Sequence, residues 1–518
     1  DIKQALYCLL KRLPDKKQLH RTHQTVKRRP LFYFTSCRFA LSRHKWRTTS
    51  QLTEMQGMWL LLTAVLCSST AHAFKAAVYE HVQSKTNSTE QAVAENLQAY
   101  WWATENASSE GAHIIVFPED GILYRLKDRE EVAKFAEDVP DINMTICGSQ
   151  NMSILSNLSC MAQNNSIYLV ANLIDRKPCN ESDHSCPRDK VKYFNTNVAF
   201  DRNGTLVARY HKNHLFIEPF MNPADPYEFA VFNTDFDARV GLFICFDVLF
   251  AESSLLVEKH NVTLGVMSSW WFDELPGWYS VGVQQAWSIH NGIPLLASGI
   301  QRLEMGSLGS GIYAGRRGPL NYTYSPDGES KLLLADLSRT TSLNPRYPGD
   351  ELHPKKRFLM QGDVSDHAAQ LLGRPKGDSR VCHGDFCCSL SYETRELNDN
   401  FVLLARNGLR NIGTYMQLGV QQCILAVCKS DNYTVCKNIT TRSTTKFTKL
   451  QLTAQFATNA VFPVVASDEL ALTPKDKWQF ETTSTNASTL TLKENGKDED
   501  ILHIMLYARL YNADRFTK

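Results

Sequence analysis

The sequence predicts an α/β fold of stacked layers, and two observations predict it. Four apolar runs of strand length, within Ala112–Gly121, Gly204–Phe216, Arg239–Phe250 and Val262–Phe272, each give way to polar or aromatic residues. Helix-like stretches, Ser88 to Thr104 and Val281 to Asn291, are spaced among them. Strands alternating with helices pack in layers, and functional groups collect where such strands end. The 518 residues, 43% hydrophobic, allow a sizeable core and roughly two to four domains. A formal net charge of +2 gives no reason to expect nucleic acid or an anionic membrane as partner.

In chain order, residues 1–54 are basic, carry "KRR" and "RHKWR", and show no sustained periodicity. Trp59 to Cys67 then forms an apolar core of the length a secretory signal uses, and Ala71-His72-Ala73 fits an A-x-A cleavage site. A membrane span would take about 20 apolar residues. Residues 55–73 are therefore read as a signal peptide starting at Met55, and 1–54 as upstream sequence translated in frame. A mitochondrial presequence is the competing reading of 1–54. The mature protein is expected to be secreted. N-x-[ST] glycosylation acceptors at Asn87, Asn106, Asn143, Asn151, Asn157, Asn164, Asn180, Asn203, Asn261, Asn321, Asn432, Asn438 and Asn486 agree with that compartment.

Each strand-like run delivers side chains with chemistry. "AHIIVFPEDG" presents Glu119, and "GTLVARYHKNHLF" presents His211, Lys212 and His214. "RVGLFICFDVLF" carries Cys245 inside its apolar run, and "VTLGVMSSWWF" ends in Ser268, Ser269 and Trp270. Taken singly, each has a bland reading: a turn carboxylate, a surface lysine, an inert packed thiol. His211 and His214 without a third ligand are a weak metal pair, and Ser269 lacks the G-x-S-x-G elbow. Together, Glu119, Lys212 and Cys245 are chemically coherent. A thiol attacks a carbonyl as thiolate, an ammonium stabilises that anion, and a carboxylate removes the proton. The ammonium and the Phe246 N–H could then hold an oxyanion.

Cysteine arithmetic isolates the same thiol. Removing Cys8, Cys37 and Cys67 with the leader leaves eleven of 14, an odd number for an oxidising compartment. Cys179 and Cys186 share the polar loop "KPCNESDHSCP", and Cys147 and Cys160 flank another loop. Cys382, Cys387, Cys388, Cys423, Cys428 and Cys436 crowd the C-terminal third, where disulfides of open connectivity are favoured over zinc. Cys245 is the one left over.

The segments "FKAAVYEH", "IIVFPEDGI", "NGTLVARYHKNHLF", "GLFICFDVLF", "GSGIY", "VCHGDFCC" and "YMQLGVQQCILAVCK" resemble the biotinidase/vanin (pantetheinase) family of the nitrilase, or carbon–nitrogen hydrolase, superfamily. The resemblance implies an α-β-β-α sandwich over residues 74–355, followed by a smaller β-rich domain over 356–518. It implies Glu119 as general base, Lys212 as the electrostatic and proton-donating residue, Cys245 as nucleophile and Glu218 as a supporting carboxylate. It also implies hydrolysis of a small linear amide, pantetheine or biocytin, with no cofactor and no metal; the oligomeric state stays open. Two departures stand out. Trp270 matches the family, but Trp271 replaces a methionine; both are expected at a substrate pocket, and the competing reading turns Trp271 into the core, since adjacent residues of a continuing strand face opposite sides. The chain shows no apolar tail of the kind a GPI anchor requires.

Overall fold

The computed structural model describes residues 74–516, apart from 87, 124–125, 149–152, 339–354, 414, 430–435, 437 and 494–497. The upstream segment 1–54 and the signal peptide 55–73 lie outside the described residues, as do the acceptors Asn87, Asn151 and Asn432. The elements begin with β1 (Lys75–Glu80), α1 (Thr89–Ser109), β2 (Ile114–Val116), α2 (Arg129–Phe135), α3 (Ile154–Asn165), β3 (Tyr168–Pro178), β4 (Val191–Phe200) and β5 (Leu206–His211). They continue with β6 (Ala230–Asn233), β7 (Arg239–Ile244), α4 (Ala251–His260), β8 (Leu264–Ser269), β9 (Glu274–Leu275) and α5 (Ser280–Asn291). Strands β10 (Pro294–Gly299), β11 (Ser310–Ala314), β12 (Pro319–Thr323) and β13 (Lys331–Asp336) complete this part.

These strands form two sheets of one design. Their orders are β13-β1-β2-β3-β4-β5 and β6-β7-β8-β10-β11-β12. In each, the second, third and fourth strands run parallel and the flanking strands antiparallel. Parallel neighbours need long crossovers, which the helices supply. Both faces of the first sheet's centre are buried, so β2 and most of β1 read as apolar runs. Ala76, Val78, Ile114, Val116 and Val170 face the second sheet's core. The alternate residues Ala77, Tyr79, Ile115, Leu169 and Ala171 pack with Tyr100 of α1 and Leu158 of α3. On the second sheet, Trp287 of α5 packs on Phe243 of β7, with ring centres 4.9 Å apart. The layers are thus α-β-β-α.

The remaining strands are β14 (Met360–Gln361), β15 (Ala368–Leu371), β16 (Lys376–His383), β17 (Phe386–Thr394), β18 (Phe401–Ile412), β19 (Met416–Val427), β20 (Lys446–Gln455), β21 (Val461–Ala466), β22 (Trp478–Thr482), β23 (Ala487–Leu492), β24 (Glu499–Asp500), β25 (His503–Arg509) and β26 (Arg515–Phe516). Two antiparallel sheets result, β15-β18-β19-β25-β21 and β16-β17-β20-β23-β22. The Cys388–Cys423 disulfide joins them through β17 and β19. The other disulfides are Cys147–Cys160, Cys179–Cys186, Cys382–Cys387 and Cys428–Cys436.

The β-rich part does not stand apart. β14 pairs with β9, and its core is continuous with the one between the first two sheets. Arg509 of β25, fully buried, donates from Nε to the Leu249 carbonyl at 2.7 Å, in the turn that follows β7. Asp514 balances its charge at 2.6 Å.

Glu80, at the end of β1, is buried and accepts hydrogen bonds from the Gly309 N–H (2.7 Å) and Gln301 Nε2 (2.8 Å). Burial pushes its carboxyl up to about 7. Between its ordinary value of 4.5 and about 7, the folded state therefore holds more protons than the unfolded one. The stability this gives is fully present at low pH and lost as pH rises to about 7. Glu80→Gln cannot ionise, so its stability deficit against the parent should shrink by up to roughly 3 kcal/mol between about pH 4.5 and 8. Denaturant titrations across that range would reject this if the deficit stayed constant.

Candidate active site

The apolar run around Cys245 is not a single strand. β7 stops at Ile244, and residues Cys245–Leu249 form a turn of 3₁₀ helix. Asp247 enforces the break. Its carboxylate accepts the Ile244 N–H (3.0 Å), the Tyr210 hydroxyl (2.8 Å) and the His214 N–H (2.9 Å). Cys245 sits at φ +46°, a left-handed conformation that a side chain adopts only under constraint. The thiol is thereby aimed off the strand end, and Cys245 is the free cysteine among the described residues.

Glu119 follows β2 and Lys212 follows β5, and the two strand ends meet. Lys212 Nζ donates to Glu119 Oε1 at 2.6 Å and to Glu218 Oε1 at 2.5 Å. Asn195, from β4, bridges both carboxylates from Nδ2 at 2.8 Å each. Asn172 Nδ2 in turn fixes Asn195 Oδ1 at 2.7 Å. Glu119 Oε2 accepts the Trp270 N–H at 2.9 Å, and that N–H also faces the Cys245 sulfur. Lys212 is 1% exposed, Glu119 3% and Cys245 5%.

The electrostatics refine the expectation of a thiolate. Burial alone would push the Lys212 ammonium down, but Glu119 and Glu218 overcome it and hold the group well above its ordinary value. The same carboxylates use up its charge. Burial, and then Glu119, push the Cys245 thiol well above its usual range, against the pull of Lys212 and the Trp270 N–H. The resting group is a neutral thiol.

His211 and His214 do not converge. His211 meets Asp175 and Glu228, each at 2.9 Å, while His214 meets Glu252 at 3.1 Å. Among the described residues no group of three or more His, Cys, Asp or Glu side chains could hold a metal ion.

A pocket with about 440 Å³ of atom-free space opens beside the thiol. Trp270 and Trp271 both line it, which a continuing strand would forbid; β8 ends at Ser269, so the alternation lapses there. Trp271 Nε1 donates to the Trp278 carbonyl at 2.9 Å, which fixes its ring in the wall. Phe246, Phe216 and Phe272 add further aromatic surface. The far wall comes from the β-rich part, through Met360, Arg410 and Ile412. Asn172, Asn195 and Arg410 were not singled out from the sequence. Asn195 and Asn197, two apart in the otherwise apolar "YFNTNVAF", were the available signal, since alternate residues share a face.

The carbon–nitrogen hydrolase family model matches residues 75–309, and the vanin C-terminal domain model matches 357–514. A pantetheinase of Homo sapiens is 34% identical over 484 residues, covering 88% of this chain and 92% of that protein. The chain belongs to this family of carbon–nitrogen hydrolases. A second family member, a pantetheine hydrolase of Homo sapiens, is 33% identical over 86% of this chain and 90% of its own length. A biotinidase of Takifugu rubripes is 29% identical over 88% and 97%.

Alkylation of Cys245 by iodoacetamide should rise with pH around a midpoint above that of an ordinary thiol. Glu119→Gln removes the neighbouring anion and should move the midpoint down. Labelling rates across pH, read by peptide mass, check both; a midpoint unmoved or raised in Glu119→Gln would contradict the assigned electrostatics.

Proposed function

We propose that this protein hydrolyses pantetheine at the amide that carries its thiol, giving pantothenate and cysteamine, with Cys245 as nucleophile. The observation that carries the reading is a constrained thiol facing a buried Glu–Lys–Glu cluster. Glu119 takes the thiol proton as the sulfur attacks the carbonyl carbon. The cluster's total charge is unchanged by that transfer, so no new charge is buried. The oxyanion is met by the Lys212 ammonium and the Phe246 N–H. Glu119 then gives its proton to the departing amine, leaving a thioester. Water, deprotonated by Glu119, attacks the thioester, and the thiol leaves with its proton restored. Glu218 and Asn195 keep Lys212 and Glu119 in register throughout.

Relatives named for pantetheine, at 33–34% identity, support that substrate over the biotinidases at 29–30%. Trp271 supports it too, since its ring occupies space that a fused bicyclic acyl group would need. We infer that the protein works outside the cell, in an oxidising compartment, a reading supported by five disulfides. Of the acceptor residues the structure describes, Asn143, Asn164, Asn180, Asn203, Asn261 and Asn438 are exposed, and Asn106, Asn157, Asn321 and Asn486 are half-buried. Among the described residues no helix is long and apolar enough to cross a membrane.

A panel of pantetheine, biocytin and simple amides tests the reaction directly. Cys245→Ser should keep the fold and lose turnover, and Lys212→Ala should cost on the order of 10²-fold or more in kcat. Turnover in Cys245→Ser near that of the parent would sink the mechanism. Trp271→Met should raise biocytin cleavage relative to pantetheine cleavage by roughly 10-fold or more. Paired kcat/KM values decide it: an unchanged ratio removes Trp271 from substrate choice.

A further inference from the structure

Half of the described residues lining the pocket beside Cys245 are aromatic, and Glu274 and Arg410 are the charged side chains among them. Arg410 comes from β18, in the β-rich part, and its side chain is 16% exposed. Nη2 pairs with Glu274 Oε1 at 2.6 Å, and the guanidinium lies 4.0 Å over the Trp278 ring. Both contacts hold the plane of the group in one orientation. Yet Nε, buried, has no hydrogen-bond partner among the described residues. A guanidinium N–H shut away from water and left unpaired is costly, and a pocket of this kind fixes its ligand through a few placed polar groups.

The next step rests on the hydrolytic reading above. Beyond the scissile carbonyl, every oxygen of pantetheine lies in its acyl half, as one further amide carbonyl and two hydroxyls. The cysteamine half has none. We propose that Arg410 donates its Nε–H to an oxygen of the acyl half, making it a specificity-determining residue supplied by the β-rich part. Glu274 holds the guanidinium and tempers its charge, which suits a neutral oxygen rather than a carboxylate. The aromatic walls take the hydrocarbon between.

Arg410→Lys tests this without removing the charge opposite Glu274, because lysine has no counterpart of Nε–H. The two substrates are pantetheine and N-octanoyl cysteamine, which share the amine and the scissile bond but differ in acyl oxygens. On pantetheine, kcat/KM should fall about 10- to 100-fold; on octanoyl cysteamine the loss should be clearly smaller. Iodoacetamide labelling at Cys245 reports whether the variant keeps the site. Equal losses on both substrates, or none, would overturn the proposal. The unaltered protein supplies an independent measurement: it should prefer pantetheine over octanoyl cysteamine, and the reverse preference would also overturn it. If the unaltered protein cleaves neither amide, the hydrolytic reading itself falls. If it prefers pantetheine and Arg410→Lys keeps that preference, only the role of Arg410 falls.

Discussion

The Lys212 ammonium, shared between Glu119 and Glu218, is the interaction on which the rest of the site depends. A charge this deeply buried persists only when neighbours neutralise and solvate it. Glu119 and Glu218 supply that, and they are held in turn by the Asn195 amide and the Trp270 N–H, which donate to them; the four come from separate segments of chain. Removing one member would leave uncompensated charge on the others. The arrangement therefore orders the ends of β2, β4, β5 and β8 together. It also accounts for the upward shift of the thiol, since the Lys212 ammonium beside it already answers two anions.

The two-sheet design makes that meeting possible. Both sheets carry three parallel strands in equivalent positions, so strand ends with the same sense face each other across the interlayer core. The end of β2 brings Glu119, and the end of β7 brings Cys245. Asp247 then converts the strand end into a tight helical turn. Arg509 secures the far side of that turn from the β-rich part. The C-terminal sheets are in this sense part of the site's frame as well as of its pocket wall.

Glu119, Lys212 and Cys245 could be picked out in the sequence because each lies in or just after a strand-like run, and Cys245 was the odd thiol in a chain of otherwise pairable cysteines. Run length and the alternation of strand-like with helix-like stretches also indicated the layered α/β class, since strands buried on both faces are mostly apolar. Trp270 and Trp271 were visible as a pair, but whether both reach one pocket depends on where β8 stops. The strand-like reading of Cys245 failed for a related reason. The apolar run continues past Ile244 to Phe246, while the break at Ile244 is made by hydrogen bonds to Asp247, among them those from Tyr210 and His214, more than thirty residues away in the chain.

By itself, then, the sequence singled out a chemically coherent set of candidate groups, because composition and periodicity are local properties. Only the tertiary structure decided their states and their company. The protonation of Cys245 depends on the charges around it in space, not on its neighbours in the chain. The role of Asn195 as a bridge between two carboxylates, and of Arg410 as a wall of the same pocket, follows from contacts between segments up to hundreds of residues apart. No pattern along one strand records them, because the energy of a buried charge is fixed by whatever the fold places within a few ångströms of it.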